Sequence, residues 1–206
     1  MSDELFDAID KHDSKRIAAL LSAGADPNAA STHPPKWRPL GAAIEELEFG
    51  GAIEIVRLLL EHGADVNAPY VESKLTPLHA AMFTEDIEVI RLLLEAGADP
   101  NALTDEDRSP LRFAVEQDAP EIAALFLRYG ADATINESGG FCGYTALGLA
   151  AHKLNGPMIK LLIDAGADPE ACDSDGRSPR DHLPPREASD PVAWNAALEL
   201  LQRRTT

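Results

Sequence analysis

The tripeptide Gly-Ala-Asp recurs at nearly regular intervals along this chain of 206 residues. Its five copies begin at Gly24, Gly63, Gly97, Gly130 and Gly166. Each copy follows a leucine-rich or isoleucine-rich segment, and a motif of the type Thr-Pro-Leu precedes most of these segments. Self-similarity at a nearly fixed period is the signature of a repeat architecture. We therefore expect a stack of similar units rather than one globular core.

The best-preserved unit begins at Thr76 and predicts two helices. Thr76 before Pro77 is typical of a helix start, because the hydroxyl caps unpaired N–H groups and proline at the first position loses no bond. Asp86 is the predicted cap of a second helix, Ile87 to Glu95, and Gly97 supplies the left-handed residue that ends it. The second helix is apolar on nearly every side, so neighbouring copies must stack to bury it.

These motifs and their period resemble ankyrin repeats, which have a period of about 33 residues. The resemblance implies an all-α, ankyrin-repeat solenoid of about six helix-turn-helix repeats with short hairpin loops. We expect a single domain over 1–206, with a cap at each end. The predicted copies are approximately 1–28 (cap), 29–67, 68–101, 102–134, 135–170 and 171–206 (cap).

Two copies are longer than the others, and both additions are predicted to lie in loops. The second copy has extra residues around Glu45 to Gly51, between its two helices. The fifth copy has extra residues within Glu137 to Tyr144, a loop expected to expose Phe141 and Tyr144. Insertions in such repeats map to loops, and loops often carry binding. These two segments are therefore candidate specificity elements.

The charge of the chain limits the classes of partner. The formal net charge is −17, whereas nucleic acid and anionic membranes require a basic surface. No apolar run approaches the ~20 residues that a membrane helix needs. We expect no nucleic acid and no membrane as partners, and a basic protein as the natural complement. An acidic surface that serves only solubility is the competing interpretation.

The N-terminus and the cysteines bear on location and redox chemistry. Met1-Ser2-Asp3-Glu4 has neither the basic nor the apolar segment of a secretory signal, which predicts a cytoplasmic location. Cys142 and Cys172 are too few for a disulfide framework. We expect free thiols, although the two loops belong to adjacent copies and could bring them together.

Motifs for catalysis are missing from the sequence. It contains no P-loop, GxSxG, HExxH or GxGxxG pattern. The ankyrin resemblance implies a structural hydrogen bond for His79, and the other histidines lack metal-ligand spacing. We therefore predict a protein that is not an enzyme and that has no cofactor and no metal. The enzyme alternative would need a pocket that gathers His152, Cys142 and an acid.

The resemblance also implies a concave binding face, built from hairpin tips and the outward ends of the first helices. The predicted tip residues are Trp37, Tyr70, Glu72, Lys74, Asp105, Glu106, Arg108, Phe141 and Tyr144. The predicted helix-end and insertion residues are Glu45, Glu46, Glu48, Phe49, Phe83, Glu116, Gln117, His152 and Lys153. Aromatic rings among carboxylates suit an interface in which the rings anchor a basic partner and the carboxylates steer it. Alternatively, Trp37 or Phe141 packs only its own loop.

The sequence as a whole predicts a non-catalytic protein–protein interaction module that is monomeric on its own. Its acidic concave face and hairpin loops would bind a basic protein. A more specific alternative is an inhibitor or immunity-type protein that occludes a basic enzyme such as a nuclease. An adaptor and a delivered effector are further alternatives.

Overall fold

The computed structural model describes residues 2–32, 37–70, 73–84, 86–140 and 142–202. Regular structure within these ranges is helical, apart from an isolated antiparallel bridge between Ser138 and Thr145. This confirms the predicted all-α class. No helix in these ranges is long and apolar enough to cross a membrane. The chain divides into two compact units, Met1–Asp99 (the first unit) and Pro100–Thr206 (the second unit). The prediction of a single domain over the whole chain stays a prediction.

Helices of the first unit occur in antiparallel pairs, one pair for each copy. The pairs are α1 (Ser2–Asp10) with α2 (Ser14–Ser22), α3 (Pro39–Glu45) with α4 (Ile53–Glu61), and α5 (Pro77–Ala81) with α6 (Ile87–Glu95). The first helices pack side by side, α1 on α3 and α3 on α5, while α2 packs on α4. Ala80 and Ala81 are buried, as close packing of first helices requires. Fully buried side chains from the first helices and from the second helices form the core, among them Leu5, Ile17, Ile44, Leu59, Leu78 and Ile90.

The predicted helix signals of the third copy are confirmed. The Asp86 side chain accepts a hydrogen bond from Glu88 N at 2.9 Å, and the helix that it caps spans Ile87–Glu95. Gly97 adopts φ +91°. His79 is buried, and its Nδ1 lies 2.9 Å from Thr76 Oγ1 at the start of α5. These contacts give His79 the structural role that the ankyrin resemblance implied.

The insertion of the second copy is regular structure rather than an open loop. Residues Glu46–Phe49 form a 3-10 helix that continues from α3 and ends at Gly50, with φ +95°. Gly51 N donates to the Glu46 carbonyl at 2.8 Å. A Cβ atom at Gly51 would lie 2.8 Å from that same oxygen, so a larger residue does not fit there without movement. The glycine pair therefore permits the compact return of the chain to α4.

An asparagine after the Gly-Ala-Asp motif joins successive copies within the first unit. Asn67 Nδ2 donates to the Gly97 carbonyl at 3.0 Å, and Asn67 Oδ1 accepts from Asp99 N at 2.8 Å. Asn28 makes the equivalent bonds to Gly63 and Asp65, at 2.9 and 2.8 Å. Each side chain thus satisfies two backbone groups of the next copy and fixes the spacing between copies.

The second unit repeats the paired arrangement and then departs from it. Its helices are α7 (Pro110–Glu116), α8 (Pro120–Arg128), α9 (Ala146–His152), α10 (Gly156–Asp164), two 3-10 turns (Pro179–His182 and Arg186–Ala188) and α11 (Pro191–Gln202). Helix α7 packs on α8 and α9, and α10 packs on α8, α9 and α11. Trp194 Nε1 donates to the Pro184 carbonyl at 2.9 Å, and Leu201 is buried. These contacts fix α11 on the last copy.

Candidate functional site

Four carboxylates lie near the ends of α1 and α3 in the first unit: Asp10, Glu45, Glu46 and Glu48. Burial raises the pKa of Asp10 above its ordinary value of 3.8, and the charges of Glu46 and Asp7 raise it further. Burial likewise raises the pKa of Glu45 above 4.5; a hydrogen bond from Tyr70 opposes this shift and the charge of Glu48 adds to it. A nearby cation would relieve this repulsion.

Two phenylalanine side chains are exposed in the first unit: Phe49 follows these glutamates in the second copy, and Phe83 belongs to the third copy. Phe49, the last residue of the 3-10 insertion, is 74% exposed, and Phe83, just after α5, is 55% exposed. Both follow the C-terminal ends of first helices, and those helices, α3 and α5, pack on each other. The name Phe49 patch is used below for Glu45, Glu46, Glu48, Phe49 and Phe83. Exposed aromatic rings with a charged rim are the usual composition of a binding hot spot.

Several other candidates of the first unit make contacts within the chain. The Tyr70 hydroxyl donates to Glu45 Oε1 at 3.4 Å, and a Cβ atom on Gly41 would lie 2.7 Å from Tyr70 Cε1. Burial, followed by the charge of Glu45, raises the pKa of Tyr70. Trp37 is half-buried, and its carbonyl accepts from Ser31 N at 2.8 Å. The Tyr70 side chain therefore contacts α3 of the preceding copy, and Trp37 is partly withdrawn from solvent. Glu72 lies outside the described residues.

A partly buried ion cluster lies on α7 and the hairpin before it in the second unit. Arg112 Nε donates to Glu116 Oε1 at 3.3 Å, and Arg108 Nη2 donates to the other oxygen of the same carboxylate. Arg112 Nη1 also donates to the Tyr144 carbonyl, which ties the hairpin of the fifth copy to α7. Desolvation lowers the pKa of Arg112, and the charge of Glu116 opposes that shift. Arg112 was not among the predicted site residues, although its spacing of four from Glu116 was a usable signal.

The expectation that the loop of the fifth copy exposes Tyr144 is wrong. Tyr144 is half-buried, and its ring centroid lies 3.9 Å from that of His182. The His152 ring meets it at 5.8 Å, edge to face. His182 belongs to the following copy, so its contact with Tyr144 joins distant parts of the sequence. Phe141 lies outside the described residues, so its predicted exposure stays a prediction.

The predicted binding residues fall into two groups by the exposure of their side chains. Contacts within the chain occur in both groups: Lys153 Nζ donates to Asp118 Oδ2 at 3.0 Å and to the Glu116 carbonyl at the end of α7, and His12 Nε2 lies 2.9 Å from Glu46 Oε2. The half-buried residues are Trp37, Glu45, Glu46, Tyr70, Arg108, Glu116 and Tyr144; the exposed ones are Glu48, Phe49, Lys74, Phe83, Asp105, Glu106, Gln117, His152 and Lys153. The second group supplies the accessible surface.

Cys142 and Cys172 are both free and exposed, in agreement with the prediction of free thiols. In the part of the chain that the structure describes, His, Cys, Asp and Glu side chains nowhere form a group of three or more that could hold a metal ion.

Comparison with known proteins identifies the repeats. Family models described as "Ankyrin repeats (3 copies)" match residues 5–104 and 71–137, and a model described as "Ankyrin repeat" matches residues 142–174. Neither model describes an enzyme. The mouse protein "Ankyrin repeat and SOCS box protein 16" is 40% identical over 140 residues, which are 64% of this chain and 30% of the mouse protein. The chain thus spans about a third of the length of the curated relatives that it matches.

Two solved structures extend the comparison. The ankyrin repeat domain of Bcl-3, a member of the IkappaB family, matches with a TM-score of 0.79 and 28% identity, covering 97% of this chain and 81% of that one. A chain in the complex of a predatory endopeptidase from Bdellovibrio bacteriovorus with an immunity protein matches with a TM-score of 0.74 and 25% identity. That match covers 96% of this chain and 98% of the other.

Proposed function

Because this chain belongs to the ankyrin repeat family, whose members are protein–protein interaction modules, we propose that it binds a basic protein without catalysing a reaction. Binding uses the acidic concave face that first-helix ends and hairpin loops form within each unit. The protein acts as a cytoplasmic monomer that presents this preformed face. A preorganised surface loses little conformational entropy on association.

The Phe49 patch is the observation that carries this proposal. Two exposed rings lie on adjacent copies; Glu46 and Glu48 belong to the 3-10 insertion that holds Phe49, and Glu45 directly precedes it. Lysine or arginine of a partner would pair with these carboxylates, and the methylene stems of those side chains would cover the rings. Burial is the main cause of the raised pKa values of Asp10 and Glu45, and cation binding would remove the smaller contribution that comes from repulsion between carboxylates. A basic partner therefore fits this surface in charge.

An inhibitory role of the immunity type is a second candidate. The match to a chain in the endopeptidase–immunity protein complex supports it. The charge of −17 suits occlusion of a basic enzyme such as a nuclease. This role predicts that a partner captured from native lysate with this protein as bait is an enzyme, and that equimolar addition of this protein abolishes the activity of that enzyme. A captured partner whose activity is unchanged by the addition would favour the adaptor role.

Replacing both rings, Phe49→Ala with Phe83→Ala, is expected to weaken binding of the partner captured from native lysate by about 100-fold, because each ring is an exposed anchor worth roughly tenfold. The measurement is the dissociation constant by calorimetry at fixed salt. Val192→Ala is the control, since Val192 is 77% exposed on α11 and does not belong to the predicted set. An affinity unchanged in the double variant would remove the Phe49 patch from the interface.

A further inference from the structure

The second unit contains a cavity of 220 Å³ whose lining is positively charged. Arg108, Arg112 and Glu116 line it together with Cys142 and Leu149. Two guanidinium groups and one carboxylate give these side chains a formal charge of +1. In a chain with a net charge of −17, this is a local reversal of sign. It suits an anion rather than the basic groups that fit the Phe49 patch.

The two guanidinium groups have more N–H donors than their contacts with the described residues use. Each guanidinium carries five N–H donors. Arg108 donates to Glu116 through Nη2, while its Nε is buried and has no partner among the residues described. Arg112, whose side chain is only 5% exposed, donates through Nε to Glu116 and through Nη1 to the Tyr144 carbonyl. Buried donors without partners are costly, so an acceptor that enters this cavity gains from pairing with them.

We propose that this cavity binds a single carboxylate group. A monoanion brings the formal charge of the lining from +1 to zero, whereas a phosphate dianion would leave a net negative charge in a partly buried site. A carboxylate also matches the planar fork of a guanidinium. Leu149 provides an apolar wall for the carbon stem that carries the carboxylate. The site is separate from the Phe49 patch and does not rest on the function proposed above.

The same cluster holds the loop of the fifth copy, and the choice of variant must allow for that. Arg112 is nearly fully buried and bonds the Tyr144 carbonyl, so its replacement would disturb the fold. Arg108 is 30% exposed, and its contacts are Glu116 and the Phe113 ring, which lies 4.5 Å from the guanidinium carbon. Arg108→Gln therefore removes the charge at the cavity mouth with less disturbance. Arg128→Gln, at an exposed position of the same unit, is the charge-matched control.

The test is a titration of the full chain with propionate, followed by NMR of the arginine Nε–H signals. Propionamide serves as the neutral ligand of the same shape, and sodium chloride holds the ionic strength constant. We expect saturable shifts of the Arg108 and Arg112 signals with propionate, and none with propionamide. Arg108→Gln should weaken the binding at least tenfold, as expected for loss of a charge-assisted hydrogen bond, and Arg128→Gln should leave it unchanged. Inorganic phosphate should bind more weakly than propionate.

Several results would overturn the assignment. These are shifts that do not saturate, shifts that propionamide or chloride reproduces, and equal binding to the wild type and to Arg108→Gln. If Arg108→Gln unfolds, the wild-type titrations against propionamide and phosphate still decide the outcome. A carboxylate arrives either on a partner's side chain or as a free acid. The blocked peptide acetyl-Ala-Glu-Ala-amide binding more tightly than propionate would assign the side chain, and the reverse order would assign the free acid.

Discussion

Leu59→Ala is expected to lower the free energy of unfolding by about 3 kcal/mol, within the range of roughly 2–5 kcal/mol for buried leucines. Leu59 is fully buried on α4, a helix that packs on both α2 and α3. Truncation removes contacts within one copy and between neighbouring copies, and a stack of repeats depends on both. The loss of these contacts should therefore destabilise the neighbouring copies as well as the copy that contains Leu59.

Urea unfolding followed by circular dichroism measures this effect. Leu58→Ala is the matched control, because Leu58 is the adjacent residue on the same helix and is only half-buried. We expect it to cost less than about 1.5 kcal/mol, since less apolar area is lost. Similar losses for the two variants would contradict the assignment of Leu59 to the core. The result also bears on binding, since a loosened stack would no longer present a preformed face.

Asp173→Ala is expected to be about as damaging, at roughly 3 kcal/mol, because it breaks a buried polar network. Asp173 and His182 have side chains that are 1% and 3% exposed, and His182 Nε2 donates to Asp173 Oδ2 at 2.6 Å. Asp173 Oδ1 also accepts from the backbone N–H groups of Asp175 and Arg177, both at 2.9 Å. Removal of the carboxylate leaves three donors without their acceptor.

Thermal or urea unfolding of Asp173→Ala against Asp175→Ala tests this network. Asp175 is exposed on the same turn, and its replacement keeps the backbone bond to Asp173. We expect a loss below about 0.5 kcal/mol for that control, as for ordinary surface positions. The Tyr144 ring rests on His182, so Asp173→Ala should also change the environment of Tyr144. Equal stability of the two variants would contradict the structural role of the pair.

The same network predicts a dependence of stability on pH. Burial alone would raise the pKa of Asp173, but hydrogen bonds from Arg177 N, His182 and Asp175 N together bring it below 3.8. A carboxyl with a lowered pKa in the folded state stabilises fully above its unfolded pKa and loses that contribution as the pH falls through the folded value. The stability difference between wild type and Asp173→Asn should therefore shrink as the pH falls below 3.8. A difference that grows on acidification would contradict this sign.

Local sequence signals predicted the repeat unit well. The third copy forms its second helix at Ile87–Glu95, with Asp86 as its cap, because both features depend on residues within one turn. Asn28 and Asn67 stand just after the Gly-Ala-Asp motif in the sequence, but their hydrogen bonds to the next copy can be recognised only when that copy is in place. The glycine pair Gly50 and Gly51 indicated where the insertion before α4 lies, but it did not indicate that the insertion forms a 3-10 helix.

The candidate site was less predictable because its contacts join distant residues. Tyr144 is covered by His182, which lies 38 positions later in the sequence. The spacing of four between Arg112 and Glu116 indicated their ion pair, but the bond from Arg112 to the Tyr144 carbonyl joins residues 32 positions apart and could not be predicted from that spacing. By contrast, Phe49 and Phe83 were among the predicted residues, and both are exposed. Their role in binding stays a proposal.

The association rate of the captured partner tests the central proposal most directly. The variant reverses three exposed carboxylates of the proposed binding set, Glu48→Lys, Asp105→Lys and Glu106→Lys. The control makes the same change in net charge on the second helices: Glu54→Lys, Glu61→Lys and Glu121→Lys. Rates are measured by stopped flow at about 10 mM and about 150 mM salt, because the distance over which charges interact is much longer at the lower salt concentration.

We expect the binding-set variant to associate at least tenfold more slowly than the control at low salt, with the two rates converging at the higher salt, because steering by local charge is screened by ions. The dissociation rate should change less than the association rate. Equal association rates for the two variants at low salt would contradict the account, since the acidic residues of the proposed face would then serve only solubility.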